Sequence, residues 1–262
     1  MITKLMPRRI PDYPDAFVGW VRNLIIKNLE CKYSTKILSK KNENKELVLW
    51  ETNNNFSLNK IKILKKFERN IIKISKFNKS IIIGLILSDG YIEKRKGWNP
   101  RIIFEQSIKN FEYIWYIFNK FNHFNSTYPK LRLIYIKNKI YHSILFKTRQ
   151  LFCFNEIYNL FYSNNKKIIK EDLYHYIDYI SIAHWIMGDG SKRKNGLILC
   201  TDNFTLKEII ILMNIFKIKF NIDSTIQKEK FYFRIYINKN NIDKIKPNIK
   251  PYFVKSMLYK IL

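Results

Sequence analysis

Two aspartates in matching surroundings carry the clearest chemical signal in this chain. Asp89 closes the run Ile82 to Gly90, Ile-Ile-Gly-Leu-Ile-Leu-Ser-Asp-Gly. Asp189 closes Ile182 to Gly190, Ile-Ala-His-Trp-Ile-Met-Gly-Asp-Gly. The acids are 189 − 89 = 100 residues apart. Of the seven glycines, four (Gly84, Gly90, Gly188 and Gly190) fall inside these two runs, which marks them as copies. Two carboxylates brought together repel unless cations sit between them. A helix C-terminus adds partial negative charge and free carbonyls, which also favours a cation. The expected chemistry is a paired-acid site for hard metals such as Mg2+, held by Asp89 and Asp189.

Such a site needs elements that bring the acids to one place. Each apolar run is long enough for a buried helix or strand. Gly90 and Gly190, directly after the acids, read as helix stops where a positive φ is wanted. Gly84 and Ser88 are four apart and share a helical face, so another backbone can come close. Either run alone fits a core helix with a solvated acid at its end. Two copies with matching ends fit twin helices packed side by side.

These runs resemble the LAGLIDADG motif of homing endonucleases. The first keeps that family's Gly84, Leu85, Ile86, Asp89 and Gly90; the second keeps Ala183, Ile186, Asp189 and Gly190. Leu87 and Met187 stand at the motif's first acid. His184 stands at its first glycine, which makes the expected helix contact less intimate. Two motifs in one chain are similar to the single-chain, pseudo-symmetric branch of the family. The resemblance implies an α+β fold of two αββαββα repeats, with the motif helices at the interface and saddle-shaped antiparallel sheets.

Composition agrees with a nucleic-acid partner. Lys and Arg number 48 against 21 acids, a net charge of +27 in 262 residues. That excess points to a polyanion. No run of eighteen apolar residues is present, so no transmembrane helix is expected. Cys31, Cys153 and Cys200 lie far apart and form neither a zinc spacing nor a disulfide framework, which suits a reducing compartment. Ile, Lys, Asn, Phe and Tyr abound, whereas Ala16 and Ala183 are the only alanines, as expected from an A+T-rich genome such as an organelle's.

Residues 6–20 carry three prolines and resemble a segment of cytochrome c oxidase subunit 1. This predicts an exon-derived leader over 1–20 and an intron-encoded protein made in mitochondria. Residues 21–79 read as a basic lead-in, with one or two helices between Leu58 and Phe77. The first repeat is expected over 80–165: motif helix, Tyr91 to Lys96, strand Arg101 to Ser107, helix Asn110 to Phe121, hairpin strands Leu131 to Lys137 and Ile140 to Lys147, and helix Arg149 to Phe161. The second, over 166–262, repeats that order: strand Gly196 to Thr201, helix Thr205 to Phe220 with Thr205 and Glu208 in capping-box register, hairpin Ser224 to Asn238, then helices Asn240 to Lys246 and Pro251 to Leu262. Along its second hairpin strand, Phe231, Phe233, Ile235 and Ile237 are expected to pack on helices. Tyr232, Arg234, Tyr236 and Asn238 then form a polar sheet face.

A curved sheet of this kind can lie in the major groove of double-stranded DNA. Candidate contacts are Lys94, Arg95, Lys96, Lys137, Lys139, Lys192, Arg193, Lys194, Lys228, Lys230, Tyr232, Arg234 and Tyr236. The resemblance further implies two or three divalent ions shared between Asp89 and Asp189, helped by the backbone at Ser88 and Gly188, and one basic residue per cleavage site. The family's Asn-Asn-Lys-Lys stretch matches Asn164 to Lys167, giving Lys167 the first role. Its terminal Met-Met-Tyr-Lys matches Ser256 to Lys260, giving Lys260 the second. Gln106 takes the slot of a water-positioning polar residue, and Asp202 the corresponding slot in the second half. The function implied is a Mg2+-dependent, staggered double-strand break in an asymmetric DNA site by a monomer. The alternative is an RNA maturase that assists splicing of its own intron; the two intact acids favour the nuclease.

Overall fold

The computed structural model describes residues 64–125, 127–136, 139–229 and 231–262. The leader, the lead-in up to residue 63, Lys137 and Lys230 lie outside these residues.

A short helix, α1 (Lys66–Ile71), buries no residue. The first motif helix, α2 (Lys76–Leu87), starts where the Ser75 side chain accepts from the Asn78 N–H. After it come β1 (Tyr91–Glu93), β2 (Arg101–Ser107) and α3 (Phe111–Lys120), then the hairpin β3 (Lys130–Ile136) and β4 (Lys139–Lys147), then α4 (Phe154–Phe161). A two-residue hairpin, β5 (Tyr162–Ser163) and β6 (Lys166–Lys167), leads to the second motif helix, α5 (Tyr179–Asp189). The order then repeats: β7 (Gly190–Arg193), β8 (Gly196–Leu199), α6 (Leu206–Phe220), β9 (Ser224–Glu229), β10 (Tyr232–Asn238) and α7 (Lys239–Ile249). Both four-stranded sheets are antiparallel, with strand orders β1-β2-β4-β3 and β7-β8-β10-β9. The α+β plan of two αββαββα halves is therefore present.

The motif runs are helices because each is buried on every side, which a lone amphipathic helix is not. Ile81 through Leu87 and Ile182 through Met187 are all buried. The two helices touch along small residues. A Cβ on Gly84 would run into the Ser181 carbonyl oxygen and sit 2.6 Å from His184 Cβ. A Cβ on Gly188 would sit 2.5 Å from Ser88 Cβ. At their N-terminal ends the Ser80 hydroxyl donates to the Asp178 carboxylate at 2.5 Å, and Asp178 caps α5.

His184 does not loosen this contact. Gly84 receives its Cβ, and the ring points away to stack on Tyr113 and Tyr116. The Tyr113 hydroxyl lies 3.1 Å from His184 Nδ1. Complete burial holds the imidazole neutral, with its pKa pushed down to about 3. The unfolded chain takes up this proton below about 6.5 while the native state does not. The stabilisation present above pH 6.5 is thus lost at about 1.4 kcal/mol per unit as pH falls toward 3. Urea midpoints between pH 7 and 4 should fall more steeply in the wild type than in His184→Asn.

The glycines after the acids act differently from the expected stops. Gly190 has φ −70° and ψ 132°, and Gly90 is not among the positive-φ residues. They are needed for close approach: a Cβ would sit 2.8 Å from Leu85 O at Gly90 and 2.5 Å from Ile186 O at Gly190. The helix expected from Arg149 begins only at Phe154. The preceding backbone is committed elsewhere, Arg149 N–H to Phe124 O and Leu151 N–H to Pro100 O. The expected helix over Pro251 to Leu262 is instead two 3-10 segments, Lys250–Tyr252 and Lys255–Lys260, separated by extended residues at Phe253 and Val254. Helix α7 runs past Lys246 with Pro247 inside it. Phe231 is 90% exposed and lies outside β10, whereas Ile235 and Ile237 do pack inward.

Candidate active site

The twin helices end side by side, and that places the acids. The position of a Cβ on Gly188 lies 3.1 Å from Asp89 Oδ2, so the first acid reaches the residue before the second. Both open into a cleft of about 630 Å³ whose walls include Ser88, Lys94, Tyr158, Tyr162 and Lys167. Desolvation raises both carboxyl pKa values. For Asp189 the neighbouring Asp89 charge adds to this and carries it up to about 7. Gln106 donates from Nε2 to Asp89 Oδ2 and opposes the rise there.

Lys167 and Lys260 flank the acids from different scaffolds. Lys167 ends the β5–β6 hairpin, whose turn residues Asn164 and Asn165 have φ 51° and 60°, the two left-handed positions that a type I′ turn requires. Desolvation pulls its pKa down to about 8, although both acids favour its charge. Its ammonium makes no hydrogen bond among the described residues. Lys260 is buried and donates to the carbonyls of Ile186, Met187 and Gly188 at 3.2, 2.6 and 3.1 Å. It thereby caps the C-terminal end of α5, where a cation is favoured. Lys260→Met should cost about 2–3 kcal/mol, because charge-assisted bonds are lost and carbonyls are stranded. Lys167→Met should cost far less. Urea unfolding of the two variants checks the contrast.

The sheets' open faces hold some of the predicted DNA contacts and not others. Strand register puts Arg193, Tyr232, Arg234 and Tyr236 on one open face and Lys139 on the other. Lys192 is paired with Leu197 and Lys228 with Phe233, so both sit on the helix side of their sheet. Lys94, Arg95, Lys96 and Lys194 are exposed in the turns between strands. Arg95 pairs with Glu93. Arg234 grips Asp202 with two bonds of 2.7 Å and also pairs with Glu229, so the Asp202 carboxylate is committed to Arg234, while its charge adds a little to the rise of Asp189. The same register reveals residues that sequence reading missed: Tyr91, Arg101, Arg132 and Tyr141 on the first open face. The alternation along β2 was the available signal. Arg101 and Arg132 are braced by Glu93 and Glu105.

The sequence profile of the LAGLIDADG DNA endonuclease family matches residues 79–245. The chain belongs to this family. A cytochrome b mRNA maturase bI2 of Debaryomyces hansenii is 35% identical over 188 residues, covering 69% of this chain and 72% of the relative. A probable intron-encoded endonuclease 1 of Wickerhamomyces canadensis is 32% identical over 212 residues, covering 77% and 90%. Among solved structures, the homing endonuclease I-WcaI bound to its DNA recognition sequence is similar with TM-score 0.69 and 32% identity, over 73% of this chain and 88% of that one. The matched span of this LAGLIDADG protein contains both Asp-Gly runs, both sheets and Lys167; Lys260 lies beyond it.

The donor set suits a hard cation. Two carboxylates converge at adjoining helix ends, and their mutual charge is what a cation would relieve; the Gly188 carbonyl there already accepts from Lys260. Among the described residues no cluster of three or more His, Cys, Asp and Glu forms a closed cage.

Proposed function

We propose that this chain is an intron-encoded homing endonuclease that cuts both strands of a long asymmetric DNA site, with Mg2+ held by Asp89, Asp189 and the backbone at Ser88 and Gly188. The observation that carries this reading is the meeting of the two acids at adjoining ends of helices packed along Gly84, Ser88 and Gly188. Bound divalent ions would make a water nucleophilic and stabilise the leaving oxygen. The protein's own groups do the rest. Gln106 fixes the Asp89 carboxylate. Lys167, with its pKa near 8, can hold or release a proton beside the acids near neutral pH. Lys260 holds the end of α5 in place.

One chain contains both halves of the site, which supports a monomer with one acid per strand cut and a staggered product. The dissimilar residues of the two sheets suit an asymmetric target. The leader's likeness to cytochrome c oxidase subunit 1 makes the intronless form of that gene, near the codon for Trp20, the proposed target, and mitochondria the proposed compartment. Incubation with that DNA and Mg2+ should give a linear break with short overhangs. Intact substrate at low salt would sink this reading.

A second reading, assistance in splicing the host intron RNA, is favoured by one finding: a relative at 35% identity bears a maturase name. Splicing of the purified intron with and without the protein separates the two, and a positive result in both assays would give the chain both activities.

Metal binding should depend on pH. Protons compete with the ion for Asp189, whose carboxyl is raised to about 7. Affinity should therefore fall about tenfold per unit as pH drops below 7 and level off above it. Titration with Ca2+, followed by calorimetry at pH 6 and 8, measures this.

A further inference from the structure

We infer that Asn110 is a positioning residue for Asp89, acting through the side-chain amide of Gln106. The inference rests on Asp89 being an acid of the cleavage site.

Gln106 is buried and bonded at both ends. Its Nε2 donates to Asp89 Oδ2, and its Oε1 accepts from Asn110 Nδ2 at 2.9 Å. An amide has one donating end and one accepting end, and its two flips differ only in what they meet. The Asp89 carboxylate, an acceptor, favours the flip that presents NH2. A cation drawn to Asp89 would favour the opposite flip, because it attracts the carbonyl end. Asn110 resists that flip by donating to Oε1. With Asn110 donating, the flip that keeps a neutral donor on Asp89 is the one paired at both ends.

Asn110 forgoes another bond to do this. It stands at the N-cap of α3, where an Asn side chain ordinarily accepts from the first N–H groups of the helix. It makes no such cap bond. Its side chain turns toward Gln106 instead.

The second half has no counterpart. By strand register the slot matching Gln106 holds Thr201, whose hydroxyl donates to Phe233 O; Asp202, expected there from the sequence, is one residue further on and is held by Arg234. No hydrogen bond reaches the Asp189 carboxylate among the described residues. The two pseudo-symmetric acids are thus fixed by different means, and Asn110 serves only one of them.

The test uses the full chain and two variants. Asn110→Ala removes the donor; Asn110→Asp keeps the shape and replaces the donor with an acceptor. Single-turnover cleavage of DNA labelled separately on each strand should show one strand slowed about tenfold and the other unchanged, so nicked DNA accumulates. Melting temperatures should match the wild type. Equal slowing of both strands, or no slowing, would overturn the proposal. A second measurement does not depend on cleavage. The chain has three glutamines, Gln106, Gln150 and Gln227, so selective 15N labelling gives three side-chain NH2 pairs. The Gln106 pair, identified by its loss in Gln106→Glu, should move in both Asn110 variants. If it stays in place, Asn110 does not position Gln106. If the wild type cuts no DNA but this pair moves, the nuclease reading fails while the Asn110–Gln106 link stands.

Discussion

Replacing Asp189 with Asn should abolish double-strand cutting and leave DNA binding within about threefold of the wild type. The loss should be at least about 100-fold, because even residues that merely orient a metal ligand are worth 10–100-fold. Asn has the shape of Asp but neither its charge nor its affinity for a hard cation. DNA affinity, in contrast, comes from the basic sheet faces and turns. The same substitution should make the metal-free protein more resistant to urea at pH 8. Burial and the Asp89 charge raise the Asp189 carboxyl to about 7, well above its unfolded value of 3.8. The native state therefore holds a proton there that the unfolded chain has released. Above pH 7 that proton is gone, and the folded protein carries a charge that its surroundings oppose. Relative to Asp189→Asn, the wild type should therefore lose stability as pH rises from about 4 to 7, a slope opposite to that from His184. Cleavage of labelled DNA, gel-shift affinity and urea midpoints at pH 5 and 8 test the three parts. A variant that loses binding as badly as cutting would show that the acid is structural.

Gly84→Ala should be the most destabilising single-methyl substitution in the motif helices. The added Cβ would collide with the Ser181 carbonyl oxygen and with His184 Cβ. Neither is the end of a flexible side chain, so the helices must separate. Overpacking of this kind costs about 1–3 kcal/mol, and the upper end applies where backbone is in the way. Against a total stability of roughly 5–15 kcal/mol that is a large share. Moving the helices also moves the acids, so cutting should fall with stability. Gly97→Ala is the control. Nothing lies within 4 Å of its Cβ position, and only its φ of +76° opposes a side chain. That strain is about 1–2 kcal/mol with no effect on the site. Equal urea midpoints for the two variants would contradict the close helix contact.

The sequence by itself determined most of the element order and singled out the two acids. Duplicated runs ending in Asp-Gly gave two motif helices, and the alternation of Tyr232, Arg234 and Tyr236 against Ile235 and Ile237 gave the face of β10. These are local signals: periodicity, capping and small residues speak through neighbours in the chain. The tertiary structure decided everything that depends on what lies across from a residue. Gly90 and Gly190 looked like left-handed caps, yet a backbone carbonyl pressed against each is what excludes a side chain. Lys192 and Lys228 looked like contacts on the open face until strand pairing fixed their side of the sheet. Lys260 looked like a twin of Lys167, but the 3-10 turn at the chain end buries it against three carbonyls of α5. A side chain's type is written in the sequence. Its partner is chosen by packing, because only the folded chain sets which groups lose water together.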